Sequence, residues 1–405
     1  MKKIITILSM LCVLQLTACA QWYLFPGKKK RTEPVEEKKE VKETRPQVPP
    51  ETTQAADSTG IVDDDDFFFG VPSTTGVSLI LPVNASSAKP GAGFLEMYSG
   101  ALLALRDMGN QGTKVNLRFI DSASEDIGDE SIYSESDVTI GPVAYADIEK
   151  ALQYCSRKML VSPLEPKSAA LAENGENVIQ APTPWTFQVD EIVDWLQSEM
   201  EFGDEVIVIK DNSAPGEQAA YLLDRLQRKG IIYRSTGSAE ELRKPELKGK
   251  YRVLIASDND SFISNAIKQI GIASAISGDI ILYTTSRVRN CVSPDVLDLY
   301  NANARLTASY YIDYDSEQVK SFVLAYRALY GCEPGSFAFQ GYDTMNYFVK
   351  MCTTYGRRWW KRLPENYGRG LQSDFRFSRD VAGGKVNTAV RRVVYGKDLS
   401  MTLVK

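Results

Sequence analysis

Histidine does not occur once in the 405 residues. That absence excludes the Ser-His-Asp and Cys-His arrangements of nucleophilic catalysis, the histidine-rich zinc sites, and any pH switch built on imidazole. Carboxylate or lysine chemistry would remain, but no spacing of those residues announces a reaction class, so a non-enzymatic role is expected. Excess basic charge is also missing. Lys and Arg number 47 against 52 Asp and Glu, a formal net charge of −5, which offers nucleic acid no basic face. The acidic run at 63–66 lacks the alternating ligands and turn glycine of a calcium loop and reads as a solvated spacer, so no metal and no cofactor is called for. Cysteine is scarce, six in all.

What is present begins with export. Lys2 and Lys3 precede the apolar run IITILSMLCVLQL, which ends in LTAC at Cys19. The run is too short and wrongly flanked for a spanning helix and reads as a secretory signal over 1–18. Its end resembles a bacterial lipobox, which implies cleavage before Cys19 and diacylglyceryl attachment to its sulfur. Several acyl chains at one residue make a stable anchor, at about 0.8 kcal/mol per buried methylene. Aspartate does not follow Cys19, which favours the outer membrane, facing the periplasm. Residues 19–74 read as lipid anchor and linker: the stretch from Gly27 to Gly60 holds three valines and otherwise charge, proline and small polar residues, so burial cannot order it. Such a tether reaches about 40 Å root-mean-square. Phe67, Phe68 and Phe69 are expected to make its first contact with the folded body. Cys12 leaves with the signal; Cys155, Cys291, Cys332 and Cys352 permit no deduced pairing and are expected as buried small hydrophobes.

From Val77 the pattern alternates. VSLILPVN is a continuous apolar run suited to a strand buried on both faces. Phe94, Met97, Tyr98, Ala101, Leu102, Leu105 and Met108 then recur at helical spacing. Strand-like and helix-like segments continue to NVIQAP, and a second series runs from a helix near Phe187 to the strand DIILYTTS. These are two Rossmann-like halves, an α/β architecture of parallel sheets. No Gly-x-Gly-x-x-Gly follows the first strand of either half, so a dinucleotide is not expected.

The order of elements, with GFLEMYSGALLALRDM, DVTIGPVAYADIEKAL, LVSPLEP and FAFQGYDTMNYFV, resembles the type I periplasmic binding proteins, the leucine-binding-protein-like receptors. The endings GLQSDFRF and GGKVNTAVRRVVY resemble lipoproteins of this kind from Bacteroidetes-type bacteria. The resemblance implies two Rossmann-like lobes joined by a three-stranded hinge, with 75–182 plus 310–370 in lobe one and 183–309 plus 371–405 in lobe two. It also implies ligand capture by lobe closure, in the manner of an ABC-transporter substrate-binding receptor. In amino-acid receptors of the family, hydroxyls and backbone groups after the third and fourth strands hold the ligand. Those turns correspond to 142–147 and 162–167, where serine and threonine are missing from the first and Glu165 stands in the second. Free leucine-like ligands are disfavoured by that carboxylate.

The cleft candidates are then Asn84, Ser86, Ser87, Asp121, Ser122, Tyr145 and Glu165 from lobe one. Lobe two offers Asp211, Asn212, Asp258, Asn259, Ser286 and Arg287. Caps and turns are the ordinary use of such strand-end polar residues. In GYD, Asp343 reads as a helix N-cap and Tyr342 as packing. GRRWWKRLPEN sets Arg357, Arg358, Lys361 and Arg362 around Trp359 and Trp360. It is either a helix end whose tryptophans pack inward or a docking patch for a partner. Two functions follow. One is a receptor for a small polar ligand or short peptide. The other is a protein-interaction module activating a penicillin-binding protein in peptidoglycan synthesis, because outer-membrane lipoproteins of that role carry a domain of this type.

Overall fold

The computed structural model describes residues 73–404, apart from 157, 244–249, 278 and 292–294. The signal segment, Cys19, the tether through residue 72 and Phe67, Phe68 and Phe69 lie outside the described residues.

The first lobe opens with β1 (Thr75–Leu81), α1 (Ala92–Asn110), β2 (Val115–Asp121), α2 (Ser131–Ser134) and β3 (Val138–Ile140). It continues through α3 (Tyr145–Leu152), β4 (Leu160–Ser162), α4 (Ser168–Glu173) and β5 (Val178–Gln180). Its strands pair in parallel in the order β2-β1-β3-β4-β5. The chain then crosses to α5 (Trp185–Glu199), β6 (Glu205–Lys210), α6 (Glu217–Arg228), β7 (Arg234–Thr236) and β8 (Tyr251–Ala256). After these come α7 (Asp260–Ser277), β9 (Ile280–Thr285), α8 (Val296–Asn301) and β10 (Arg305–Ala308). It returns to the first lobe for α9 (Glu317–Tyr330), α10 (Ser336–Tyr355), β11 (Gly368–Arg369) and β12 (Asp374–Phe375). A last crossing leads to β13 (Arg391–Tyr395) and β14 (Met401–Val404).

The apolar strands are buried on both faces because each sheet has helices on both sides. Val77, Leu79 and Leu81 join one cluster with Met97, Met345 and Phe348, while Ile80 joins another with Ile120, Ile148 and Leu160. In the second lobe Ile207 and Ile209 face α7, and Val206 and Val208 face α5 and α6. The period of two in each strand thus feeds two cores at once.

Two expectations are corrected. The second sheet is mixed rather than parallel: in its order β14-β13-β10-β9-β8-β6-β7, β13 runs antiparallel to β10 and β14 antiparallel to β13. The third crossing falls at 389–391 rather than after 370, so residues 371–389 belong to lobe one. The reason is aromatic burial. Phe375 and Phe377 sit in the first core, Phe375 stacked on Tyr347 at 4.5 Å, and Val386 packs in the cluster on the other face of the same sheet.

α1 and α10 cross where each carries a glycine. A Cβ on Gly100 would lie 1.9 Å from the Ala338 carbonyl oxygen, and one on Gly341 would lie 2.0 Å from that of Met97. The reciprocal pair lets the two backbones touch and brings the start of α10 against lobe one. Gly341→Ala is expected to push the helices apart and lower stability by about 1–3 kcal/mol, measured by denaturant unfolding. Gly109→Ala, also in α1, meets nothing within 4 Å and should be neutral or stabilising by up to ~1 kcal/mol.

Candidate functional site

The three crossings are stitched together by side chains that have left water. Arg391, 4% exposed, donates from Nη1 to the carbonyls of Tyr311 (2.6 Å) and Leu371 (3.1 Å), and from Nη2 to that of Gly370 (2.6 Å). Its Nε and Nη2 both reach Asp374 Oδ1. All five donors of the guanidinium therefore find acceptors, which a buried cation requires. Thr183 Oγ1 donates to the Ala389 carbonyl at 2.7 Å. Asn387 Nδ2 donates to the carbonyls of Ala181 and Asp374, and Tyr311 N–H to that of Gln372 at 2.8 Å.

Asp343 completes the knot, but not as an N-cap. α10 begins at Ser336, so Asp343 lies in its interior, 2% exposed. Its carboxylate accepts the backbone N–H groups of Leu371, Gln372 and Ser373 at 2.7–3.0 Å. Burial pushes its pKa up to about 6, against the pull of those three amides and the Arg391 charge. Tyr342 packs as expected and also donates its hydroxyl to Asp107 Oδ2 at 3.1 Å.

Beside this knot is a cavity of about 230 Å³. Its walls come from the first crossing (Ala181, Pro182, Thr183), the second (Ser309, Tyr310), the approach to the third (Asn387) and the loop residues Gln372 and Ser373. Pro163 and Leu164 after β4, with Ser336, Phe337 and Gln340 of α10, complete it. Gln340 Nε2 donates to the Pro163 carbonyl, and its Oε1 accepts Gln372 Nε2 at 3.0 Å and Ser373 Oγ at 3.2 Å. That fixes the Gln372 amide, and its Oε1 is buried with no partner. Ser162 Oγ, at the end of β4, is likewise unpartnered.

None of the site residues expected from the sequence lines this cavity. The structure brings some of them together, with partners from their own chain. Asp121 is buried and accepts the amides of Asn84 (2.9 Å), Ala85 and Ala123. Burial raises its pKa, but these amides and the Ser124 hydroxyl outweigh that and hold it below the usual carboxylate value. Asn84 and Ser86 are exposed, and half-buried Ser87 accepts the Lys89 amide. Ser122 Oγ is buried without a partner. Tyr145 packs against the cluster holding Ile148, and Glu165 accepts the Lys167 amide at 2.9 Å. In lobe two, Asp211 accepts the hydroxyls of Ser213 and Ser257, which lower its pKa. Asp258 accepts from Arg287 and from the Ala219 amide, while Arg287 also reaches Asp260 at 3.2 Å. Asn259 caps α7 through the amides of Ser261 and Phe262, Ser286 donates to Gln188, and Asn212 is exposed.

The tryptophan patch resolves into core and rim. Trp359 is fully buried against Phe348 at 5.8 Å, with its indole N–H donated to the Asp137 carbonyl; its ring is not at the surface to dock anything. Trp360 is half-buried edge-on to it, Arg357 is exposed and Arg358 half-buried. Cys155, Cys291 and Cys352 are buried, as expected, and Cys332 is exposed.

No family model and no curated protein matches this chain. Solved structures do. A protein from Rhodospirillum rubrum named as a branched-chain amino acid ABC transporter superposes with a TM-score of 0.55 at 14% identity, over 82% of this chain and 100% of that one. Full-length LpoA from Haemophilus influenzae gives 0.52 at 12% identity, over 83% of this chain and 60% of that one. The fold is therefore that of the type I periplasmic binding proteins.

Arg391→Met should destabilise by about 3–5 kcal/mol, since it takes the donors from Asp374 Oδ1 and three carbonyls and leaves Asp374 with the Tyr367 hydroxyl and no counter-charge from Arg391; equilibrium unfolding reads this directly. The Asp343 carboxyl sets a pH dependence. Its folded pKa lies above the unfolded value near 3.9. The stability it contributes is therefore full below that value and lost as pH rises through about 6. The melting temperature of the wild-type chain should accordingly gain on that of Asp343→Asn as pH falls across this window, and the difference should be flat above pH 7.

Proposed function

We propose that this chain is a non-enzymatic solute-binding protein of the cell envelope, which takes a small polar ligand in the interlobe cleft, seated in the hinge cavity. The observation that carries the reading is the cavity's position. Its walls include residues of the first two crossings and the approach to the third, so a ligand held there contacts the segments whose torsions set the angle between the lobes. The volume, about 230 Å³, lies below the range of about 300–1,000 Å³ usual for larger ligands. It favours a single small molecule over a peptide. Delivery to an ABC transporter fits the fold it shares with the Rhodospirillum rubrum protein. Lipidation at Cys19, with the charged tether, would hold the body off the outer membrane. Among the described residues no helix is long and apolar enough to cross a membrane.

The test is the melting temperature of the purified chain with amino acids, short peptides, neutral sugars and muropeptides at millimolar concentration. A ligand at a hundred times its dissociation constant adds about 2.7 kcal/mol, so one class should raise the melting temperature by several degrees. A flat response across the panel overturns the reading.

The likeness to LpoA and the charged tether support a second reading, a protein-interaction module acting on a penicillin-binding protein. A flat ligand panel together with in-cell crosslinks to a peptidoglycan synthase would favour it.

A further inference from the structure

The hinge cavity has a chemical character that narrows its ligand, on the reading that it binds a solute. Among the described residues, no charged side chain lines it. Bringing a carboxylate or an ammonium into such a space removes hydration with no counter-ion to replace it. The start of α10 is where an anion would be drawn by backbone N–H groups, since Ser336 and Phe337 border the cavity there. That place is already taken. The Glu96 carboxylate accepts the Gly335 amide, and burial raises its pKa against that bond.

What the site offers instead is two aromatic faces on the cavity wall and, in the buried side chain of Gln372 beside them, one acceptor without a protein partner, which a ligand would reach by a small shift of the wall. Gln372, 3% exposed, has its amide locked by Gln340, which leaves Oε1 without a partner. A buried carbonyl oxygen left unpaired is costly, and a ligand N–H or O–H would satisfy it. Phe337 and Tyr310 are large rings left 38% and 52% exposed, one on the lobe-one wall and one on the second crossing. Phe337 is held in place on Gly93 and edge-on to Phe94 at 6.3 Å.

We propose that the ligand of this cavity is uncharged, a hydroxyl- or amide-bearing molecule that donates a hydrogen bond to Gln372 Oε1 and lays its apolar face against Phe337 and Tyr310. The site as built selects against free amino acids. Among the described residues, no charged side chain on its walls pairs with an ammonium or a carboxylate.

The experiment titrates the full chain by calorimetry with two sets of probes, N-acetylglucosamine, ribose and N-acetylalanine amide against leucine, glutamate and lysine. The expected result is heat and a raised melting temperature with at least one neutral probe and none with the charged set. Phe337→Ala, an exposed position whose change leaves the fold intact, should weaken that binding about tenfold, equivalent to ~1.4 kcal/mol. Gln372→Glu should weaken it further, because a carboxylate there adds an unpaired charge. Binding of leucine, glutamate or lysine that Phe337→Ala weakens overturns the inference and leaves the solute-binding reading standing. Neutral binding indifferent to both substitutions also overturns it, by placing the ligand elsewhere. Silence from all six probes overturns the inference and counts against the solute-binding reading as well.

Discussion

The joint between the lobes depends on one guanidinium. Arg391 starts β13, the strand that returns the chain to the second sheet, and its five donors end on the second crossing and on the 370–374 loop of lobe one. Only a planar, permanently charged fork can hold carbonyls and a carboxylate at once with so little solvent. Asp343 does the converse from lobe one, offering acceptors to the amides of the same loop. Between them the loop has its backbone groups satisfied on both sides, although it belongs to neither a helix nor a long strand. The loop then carries Gln372 and Ser373 to the cavity wall.

The cavity is thus a consequence of how the hinge is held. α10 can begin beside it because Gly100 and Gly341 let α10 lie against α1 at backbone contact, and α10 supplies Phe337 and Gln340. The far end of α10 is fixed by Phe348, Trp359 and the stacked pair Tyr347 and Phe375. A helix anchored at one end by aromatic burial and along its length by a glycine crossing is a rigid wall. On the solute-binding reading, a change of lobe angle would fall to the crossings opposite. Rigid lobes with motion confined to connecting strands are the physical requirement for coupling a bound solute to a change of lobe angle.

The acidic strand-end residues show why polar composition alone does not identify a site. Asp121, Asp211 and Asp258 sit where strands end and chains turn, and free amides are plentiful there. Each carboxylate is taken by neighbouring amides or hydroxyls, or by Arg287, as turn chemistry predicts. Gln340 and Gln372 lie in apolar or irregular segments, FAFQGYD and GLQSDF, where the sequence reads packing or loop.

The sequence by itself determined the alternation of strands and helices, the two-lobed α/β plan, the burial of both faces of the central strands and the absence of histidine chemistry. These are set by local periodicity and composition, which any window of the chain displays. It did not determine where the third crossing lies. Nothing local separates Phe375 in the first core from Val393 in the second; the decision rests on which core offers an aromatic partner. Nor could it assign Asp343, whose three amide partners are 28 to 30 residues away, or find a cavity assembled from six segments spanning 163 to 387. Such contacts exist only once the chain is closed on itself, because a buried polar group takes its meaning from whatever tertiary packing places opposite it.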